Sequence, residues 1–363
     1  MLDSLKTSQD IFNSHINSHT ADSRCTLDLL KTLCPATGVS GDEGEAAQAA
    51  EQLLSPLGKV TRTPLGSVLC HLPPAKAGLP RVLLAAHLDQ IGLIVTRVTD
   101  KGFLKVAACG GPDRRTLSGA RVTVHTAGCK LPGVVVAMPP HLSDGKTKTA
   151  KPEDLAVDVG LSAEAAREKV SLGDRITLDG TLEPLFADRI CSAALDDRAG
   201  CAAVIRAAEL LKKNEQAEII VALVSQEEVG SSGAATSAFA VAPDFAFVVD
   251  VSMGLTPDER AEACGEMGKG PMIGVAPILD RRLSRLLSDT AKRANIPWQL
   301  EVMGSRTGTD ADVIAVSGKG VRTGLVSIPL RFMHTPGEVA ALCDIENTAR
   351  LIAETVGGNL CNS

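Results

Sequence analysis

Glu227 and Glu228 stand just beyond the apolar run Ile219-Ile220-Val221-Ala222-Leu223-Val224. A short run this rich in branched residues predicts a strand buried on both faces. In open α/β sheets the carboxyl ends of such strands are where catalytic groups collect. Adjacent carboxylates repel, so both stay ionised in a semi-buried site only beside a cation. The natural division of labour is one Glu as a metal ligand and its neighbour as a free base. The pattern recurs along the chain. The run RVLLAAH ends in His87, with Asp89 two residues on, and the run 245–250 ends in Asp250. Asp196 opens a helical stretch, and His334 follows a last apolar strand.

Imidazole and carboxylate groups presented at one edge of a sheet suit a pair of borderline divalent cations such as Zn, Co or Mn, and no thiolate is needed. With His87, Asp196, Glu227, Glu228, Asp250 and His334 available, one carboxylate can bridge two ions about 3.5–4 Å apart while one Glu stays unligated. Each residue alone has an ordinary explanation. Asp196 is a favoured helix N-cap type, a strand-end His is more often structural, Asp250 suits a turn, and the Glu pair suits a solvated one. That every one of them falls where an element ends favours the metal reading. Asp89 is suited to accept a proton from the second ring nitrogen of His87 and so fix its tautomer.

The elements that must position these residues alternate between helix and strand. Helices are expected over 25–33 and from 42 to 54, with a Gly-containing turn at 35–41. A hairpin over 60–72 turning near Gly66 and strands over 81–87 and 91–96 follow. Between 97 and 183 the texture changes to short strands broken by Gly and Pro, with one helix at 162–170. That predicts a small β-barrel or sandwich inserted into an α/β domain. The α/β pattern then resumes, with a helix from 196 to about 213, strands over 219–224 and 245–250, a helix over 281–295, a strand over 320–329 and a helix over 338–356. The expected domains are an N-terminal extension (1–24), a catalytic domain in two parts (25–96 and 184–363) and the inserted β domain (97–183).

At 363 residues the chain suits two domains or one with an insertion. A net charge of −6 without a dense Lys/Arg run argues against nucleic acid or an anionic membrane as partner. Aromatic residues make up only 2%, with no Tyr and one Trp, which disfavours base stacking and carbohydrate platforms. No run approaches the ~20 apolar residues of a membrane span, and the N-terminus has no apolar signal-like region. The ten cysteines lack CxxC spacing, and Cys70, Cys191 and Cys201 sit in apolar runs. Reduced core thiols and a cytoplasmic location are the expectation.

HLDQIG (87–92), LDDRAG (195–200), QEEVGSSGA (226–234), VVDV (248–251), EMGKGP (266–271), GTDAD (308–312) and IPLRFMH (328–334) occur in that order. With these motifs the chain resembles the M42 family of metallo-aminopeptidases, which includes tetrahedral and glutamyl aminopeptidases and relatives once labelled endoglucanases. The resemblance runs from about Leu29 to Val356, and GFLKVAACGG, GVVVAMPPHL and DLAVDVG are similar to that family's insert. It implies a zinc-peptidase-like α/β fold, a mixed central sheet flanked by helices with an inserted small β-barrel, and removal of N-terminal residues from peptides. It further implies two divalent metal ions per subunit, one held by Glu228 and His334, the other by His87 and Asp250, with Asp196 bridging. Glu227 would be the general base that activates the attacking water and passes its proton to the departing amine. Asp89 would orient His87, and the Asp196–Asp197 peptide would be cis. The insert would serve dimerisation, in a homo-oligomer between dimer and dodecamer. Gln90 stands where the family usually has Glu, and Phe332 where Tyr is common. The rivals are a related two-metal deacylase or carboxypeptidase, an endoglucanase-type glycoside hydrolase, and an inactive assembly scaffold. Chelator sensitivity and a free-versus-blocked N-terminus assay separate the enzymes.

Overall fold

The computed structural model describes residues 21–137, 149–257, 264–358 and 360. The expected extension lies outside the described residues as far as position 20. Helix α1 (Ala21–Leu33) begins one turn before the predicted start, because Ala, Asp, Ser and Arg carry no apolar signal yet can continue a helix.

An eight-stranded sheet runs in the order β1 (Lys59–Arg62), β2 (Val68–His71), β12 (Glu218–Val224), β3 (Arg81–His87), β13 (Phe245–Met253), β16 (Arg322–Leu330), β14 (Met272–Val275) and β15 (Gln299–Val302). The four middle strands, β12, β3, β13 and β16, are mutually parallel, so their carboxyl ends reach one edge together. Antiparallel β2 and β14 flank them. Successive residues of a strand point to opposite faces, and here both faces are covered. Along β12, Ile219, Val221 and Leu223 enter a core shared with α1, α2 (Gly44–Leu54), α5 (Leu195–Leu210), α7 (Arg281–Arg293) and α9 (Leu342–Gly357). Ile220, Ala222 and Val224 enter a second core beneath α6 (Ser232–Val241) and α8 (Ala311–Ile314). Each large aliphatic side chain so buried contributes about 1.5–3 kcal/mol. Ala202, Ala203, Ala207 and Ala208 of α5 are fully buried, and their small side chains let that helix lie close to the sheet.

Six strands close a barrel in the order β4 (Gly92–Val98), β5 (Leu104–Cys109), β8 (Ala156–Asp158), β7 (Lys130–Val136), β6 (Arg121–His125) and β9 (Arg175–Leu178). Closure leaves no free sheet edge, and alternate residues such as Leu93, Val95, Val122, Val124 and Ile176 fill its interior. Two short helices accompany it, α3 (Arg114–Leu117) and α4 (Ala163–Lys169). The strand predicted over 91–96 is β4, so barrel strands begin at Gly92. A Cβ there would meet the Ile176 carbonyl oxygen at 2.6 Å and Val39 Cγ2 at 2.7 Å.

A small sheet joins β10 (Glu183–Leu185), β11 (Arg189–Ser192) and β17 (Glu338–Ala341). Strand β17 corrects the helix predicted over 338–356, whose helical part starts at Leu342. The apolar spacing of EVAALCDI fits either structure, and antiparallel pairing of Val339 with Cys191 and Ala340 with Ile190 decides it. Helix α5 likewise stops at Leu210 rather than near 213, where Lys212, Lys213 and Asn214 turn the chain. No helix among the described residues is long and apolar enough to cross a membrane.

Candidate active site

The carboxyl ends of β3, β12 and β13, the first turn of α5 and the loop after β16 line a cavity of about 410 Å³. His87, Asp196, Glu227, Glu228, Asp250 and His334 all face it. His87 Nε2 lies 2.9 Å from Asp196 Oδ1 and 3.9 Å from Asp250 Oδ1. His334 Nε2 lies 3.2 Å from Asp196 Oδ2 and 3.2 Å from Glu228 Oε1. These are two groups of three potential ligands, each spanning at most 4.8 Å, and Asp196 belongs to both.

The donor chemistry fits divalent cations. Glu228 Oε1 is buried with only the His334 ring, at 3.2 Å, beside it and no well-aligned hydrogen bond among the described residues, a cost that a cation removes. Burial, and then the Asp197 charge, pushes the Asp250 carboxyl well above its ordinary range. Burial also raises Glu228 and, with Asp310 and Glu228 adding negative charge nearby, lifts Glu227 to about 8. Burial opposes charge on His334, yet the Asp196 and Glu228 carboxylates hold it at about 11. Carboxylates crowded to this degree call for positive charge, and the two imidazoles turn Nε2 toward them, presenting donors that also suit a borderline divalent metal.

The candidate ligands are held by their surroundings. Asp89 is fully buried, and its carboxylate accepts hydrogen bonds from Ser40 Oγ at 2.6 Å, Glu227 N at 2.9 Å and Glu228 N at 3.2 Å. It therefore shapes the Glu227–Glu228 turn. His87 Nδ1 is 3.1 Å from the Asp89 main-chain carbonyl and 3.5 Å from its carboxylate, so the carbonyl is the nearer acceptor. The Asp196–Asp197 peptide is cis. Asp197 Oδ1 accepts from Gly200 N at 2.9 Å and its Oδ2 from His87 N at 3.2 Å. The capping of this turn thus falls to Asp197, which corrects the N-cap alternative for Asp196. Gln226, His334 and Ala194 adopt left-handed φ values of 61°, 63° and 62° beside or at the candidate ligands. Such strained backbone persists where surrounding contacts over-determine it.

Three contributors escaped the sequence reading. Glu338 is buried, and its carboxylate accepts from Asp196 N at 3.0 Å and His334 N at 2.8 Å, tying the α5 turn to the His334 loop. Its one sequence signal is a lone acid in an apolar segment four residues after His334. The second is the barrel loop between β5 and α3. The Gly111 carbonyl accepts from His334 Nδ1 at 2.9 Å, which leaves Nε2 for the cavity, and Asp113 N donates to the His334 carbonyl at 2.9 Å. A Cβ on Gly111 would stand 3.3 Å from His334 Nδ1. The third is Asp310, at the start of α8, which burial pushes up to about 7.

Residues 66–351 match the family described as M42 glutamyl aminopeptidase. The chain belongs to the M42 family. It is 34% identical to the lysyl aminopeptidase of Pyrococcus furiosus, over 89% of this chain and 94% of that one. Among solved structures, a TET aminopeptidase from a marine-sediment Thaumarchaeota archaeon superposes with a TM-score of 0.88 at 30% identity, covering 93% of this chain and 98% of that one. The TET1 peptidase of Pyrococcus horikoshii, which can assemble into a tetrahedron or a large octahedral shell, gives a TM-score of 0.79 at 30% identity, with 91% and 98% covered. The mixed sheet with an inserted barrel is thus the fold of M42 peptidases, and the M42 motifs of this chain mostly lie at the sheet edge that carries the cavity.

Proposed function

We propose that the chain is a co-catalytic dinuclear aminopeptidase that removes N-terminal residues from peptides. His87 and Asp250 would hold one divalent cation and Glu228 and His334 the other, with Asp196 placed to contribute to both donor sets and Glu227 left as the general base. The supporting observation is the Asp196 carboxylate, which turns one oxygen toward each imidazole at 2.9 and 3.2 Å. When bound, the two cations supply Lewis acidity toward the scissile carbonyl, an acidified water and an anchor for the free α-amine. Zn, Co and Mn all suit these donors, and availability selects among them.

Glu227 takes a proton from the attacking water onto a carboxylate oxygen. It then gives that proton to the departing nitrogen as the C–N bond breaks. Its buried setting keeps the carboxyl basic enough for this, and neighbouring cations offset part of the rise. Asp89, through the backbone nitrogens of Glu227 and Glu228, keeps ligand and base on one rigid turn. The Gly111 carbonyl and Glu338 hold His334 with Nε2 toward the cavity.

A homo-oligomer is in keeping with the TET1 relative, which can assemble into a tetrahedron or a large octahedral shell, and Val134 and Leu172 are exposed apolar residues of the barrel region through which the chain would associate. Cys70 and Cys201 are buried thiols whose ionisation burial opposes, in keeping with a reducing cytoplasm. The relatives' names do not agree on the residue removed, since one specifies glutamyl and another lysyl.

The deciding experiment chelates the protein and restores Zn, Co or Mn while counting ions per subunit and following an aminoacyl anilide and its N-acetylated form. Activity that needs two ions and a free amine is expected. Turnover that survives chelation, or a preference for the blocked substrate, refutes the proposal.

A further inference from the structure

We infer that the active site selects a cationic N-terminal side chain, Lys or Arg, and that Glu301 is the residue that recognises it. The inference rests on the aminopeptidase reading above. Glu301, on β15, lines the same cavity as the candidate metal ligands but belongs to neither donor set. Ser252 Oγ donates to its Oε1 at 2.5 Å and Ser327 Oγ to its Oε2 at 2.6 Å. Each hydroxyl has one proton to give, so the pair orients the carboxylate without neutralising it, and its remaining lone pairs stay available. Among the described residues no Lys, Arg or His forms an ion pair with Glu301, and the cavity wall contains no Lys or Arg.

The position suits a side chain extending from the metal centre. Ser252 follows Asp250 by two residues on the same face of β13, about 7 Å along the strand. That is within reach of a long side chain whose α-amine sits at the ions. Met253, Leu325 and Met333 supply apolar wall for the methylene stem, and Glu301 meets the charged head. An acidic side chain would meet only a fixed carboxylate. A charge-assisted contact of this kind shifts selectivity by about 10- to 100-fold.

The test uses the metal-loaded full chain with Lys, Arg, Leu, Ala and Glu anilides sharing one leaving group, in wild type, Glu301→Gln and Glu301→Leu. Free L-lysine, L-arginine, L-leucine and L-norleucine serve as competitive inhibitors for a readout of binding alone. Wild type is expected to favour Lys or Arg over Leu in kcat/KM by about 10-fold or more, with Glu poorest. The Lys:Leu and Arg:Leu ratios should fall about 10- to 100-fold in the variants, with parallel weakening of inhibition by the basic amino acid. The Lys and Arg arms distinguish the two cations. A wild type that prefers Leu or Glu, or a ratio unchanged by Glu301→Gln, overturns the inference while leaving the aminopeptidase intact, and Glu301 is then only a brace between strands. Should the variants fail to fold, the wild-type ordering decides. Inertness toward every substrate sinks the aminopeptidase reading and this inference with it.

Discussion

Glu338→Gln is expected to loosen the metal centre without touching a metal ligand. In the native protein the two carboxylate oxygens each accept one backbone N–H, from Asp196 at 3.0 Å and from His334 at 2.8 Å. Gln has a single carbonyl oxygen, so its NH₂ must face one of those N–H groups. One charge-assisted bond is then lost and a buried donor is left unmatched, about 1.5–3 kcal/mol at this site. The penalty falls on the geometry of Asp196 and His334, so it should appear as metal affinity lowered by about 10- to 100-fold, the usual scale for groups that orient ligands. The donor set of Asp196, Glu228 and His334 uses both affected residues and should empty first. The assay is a titration at buffered free metal, with ions counted per subunit and activity followed in parallel. Activity should return as free metal rises. A variant that binds two ions with wild-type affinity at every free-metal level refutes the reasoning.

Glu227→Gln should retain both ions and lose about 10²- to 10⁴-fold in kcat, and wild-type turnover in it would remove the base assignment. In chelated protein, Asp250 and Glu227 are raised mainly by burial, Glu227 to about 8, and His334 is held at about 11 by Asp196 and Glu228. Protonation of all three favours the folded state, so their contribution is present at low pH and declines as pH rises above the unfolded-state values. The Tm of chelated protein should therefore fall between pH 5.5 and 8.5 while that of metal-loaded protein holds, and a rise in the chelated sample would contradict the charge account. Gly110 has φ 76°, and a Cβ there would meet Ile91 Cγ2 at 2.8 Å and the Glu228 side chain at 3.2 Å. Gly110→Ala should lower both Tm and kcat, whereas Gly119→Ala, with φ 83° but nothing within 4 Å, should lower Tm alone. Equal kinetic effects of the two would argue against the barrel loop bracing the site.

That loop gives the barrel a role at the candidate metal centre itself. His334 comes from the catalytic sheet, yet its ring is oriented by the Gly111 carbonyl and its own carbonyl accepts from Asp113, both supplied by the barrel side of the chain. Displacing the barrel would therefore disturb a candidate ligand directly.

The strands that carry the site are determined by local sequence. Branched apolar runs such as 219–224 can only be buried, and the polar residue at which each run stops is pushed to the sheet edge. For this reason His87, Glu227, Glu228 and Asp250 could be singled out before their partners were known. Composition along the chain likewise marks the change to short alternating strands. Pairing is not local. That Asp196 stands between His87 and His334 follows from β3 lying between β12 and β13 and from Glu338 tying two remote turns together. The same holds for 338–341, whose apolar spacing is compatible with helix until Cys191 and Ile190 pair with it. Glu301 shows the limit most clearly. It is one acid among many in the sequence, and only β15 at the far side of the sheet, with Ser252 and Ser327 reaching it from two other strands, brings its carboxylate into the cavity. Burial is written residue by residue, whereas electrostatic partnership depends on distances that only the completed sheet sets.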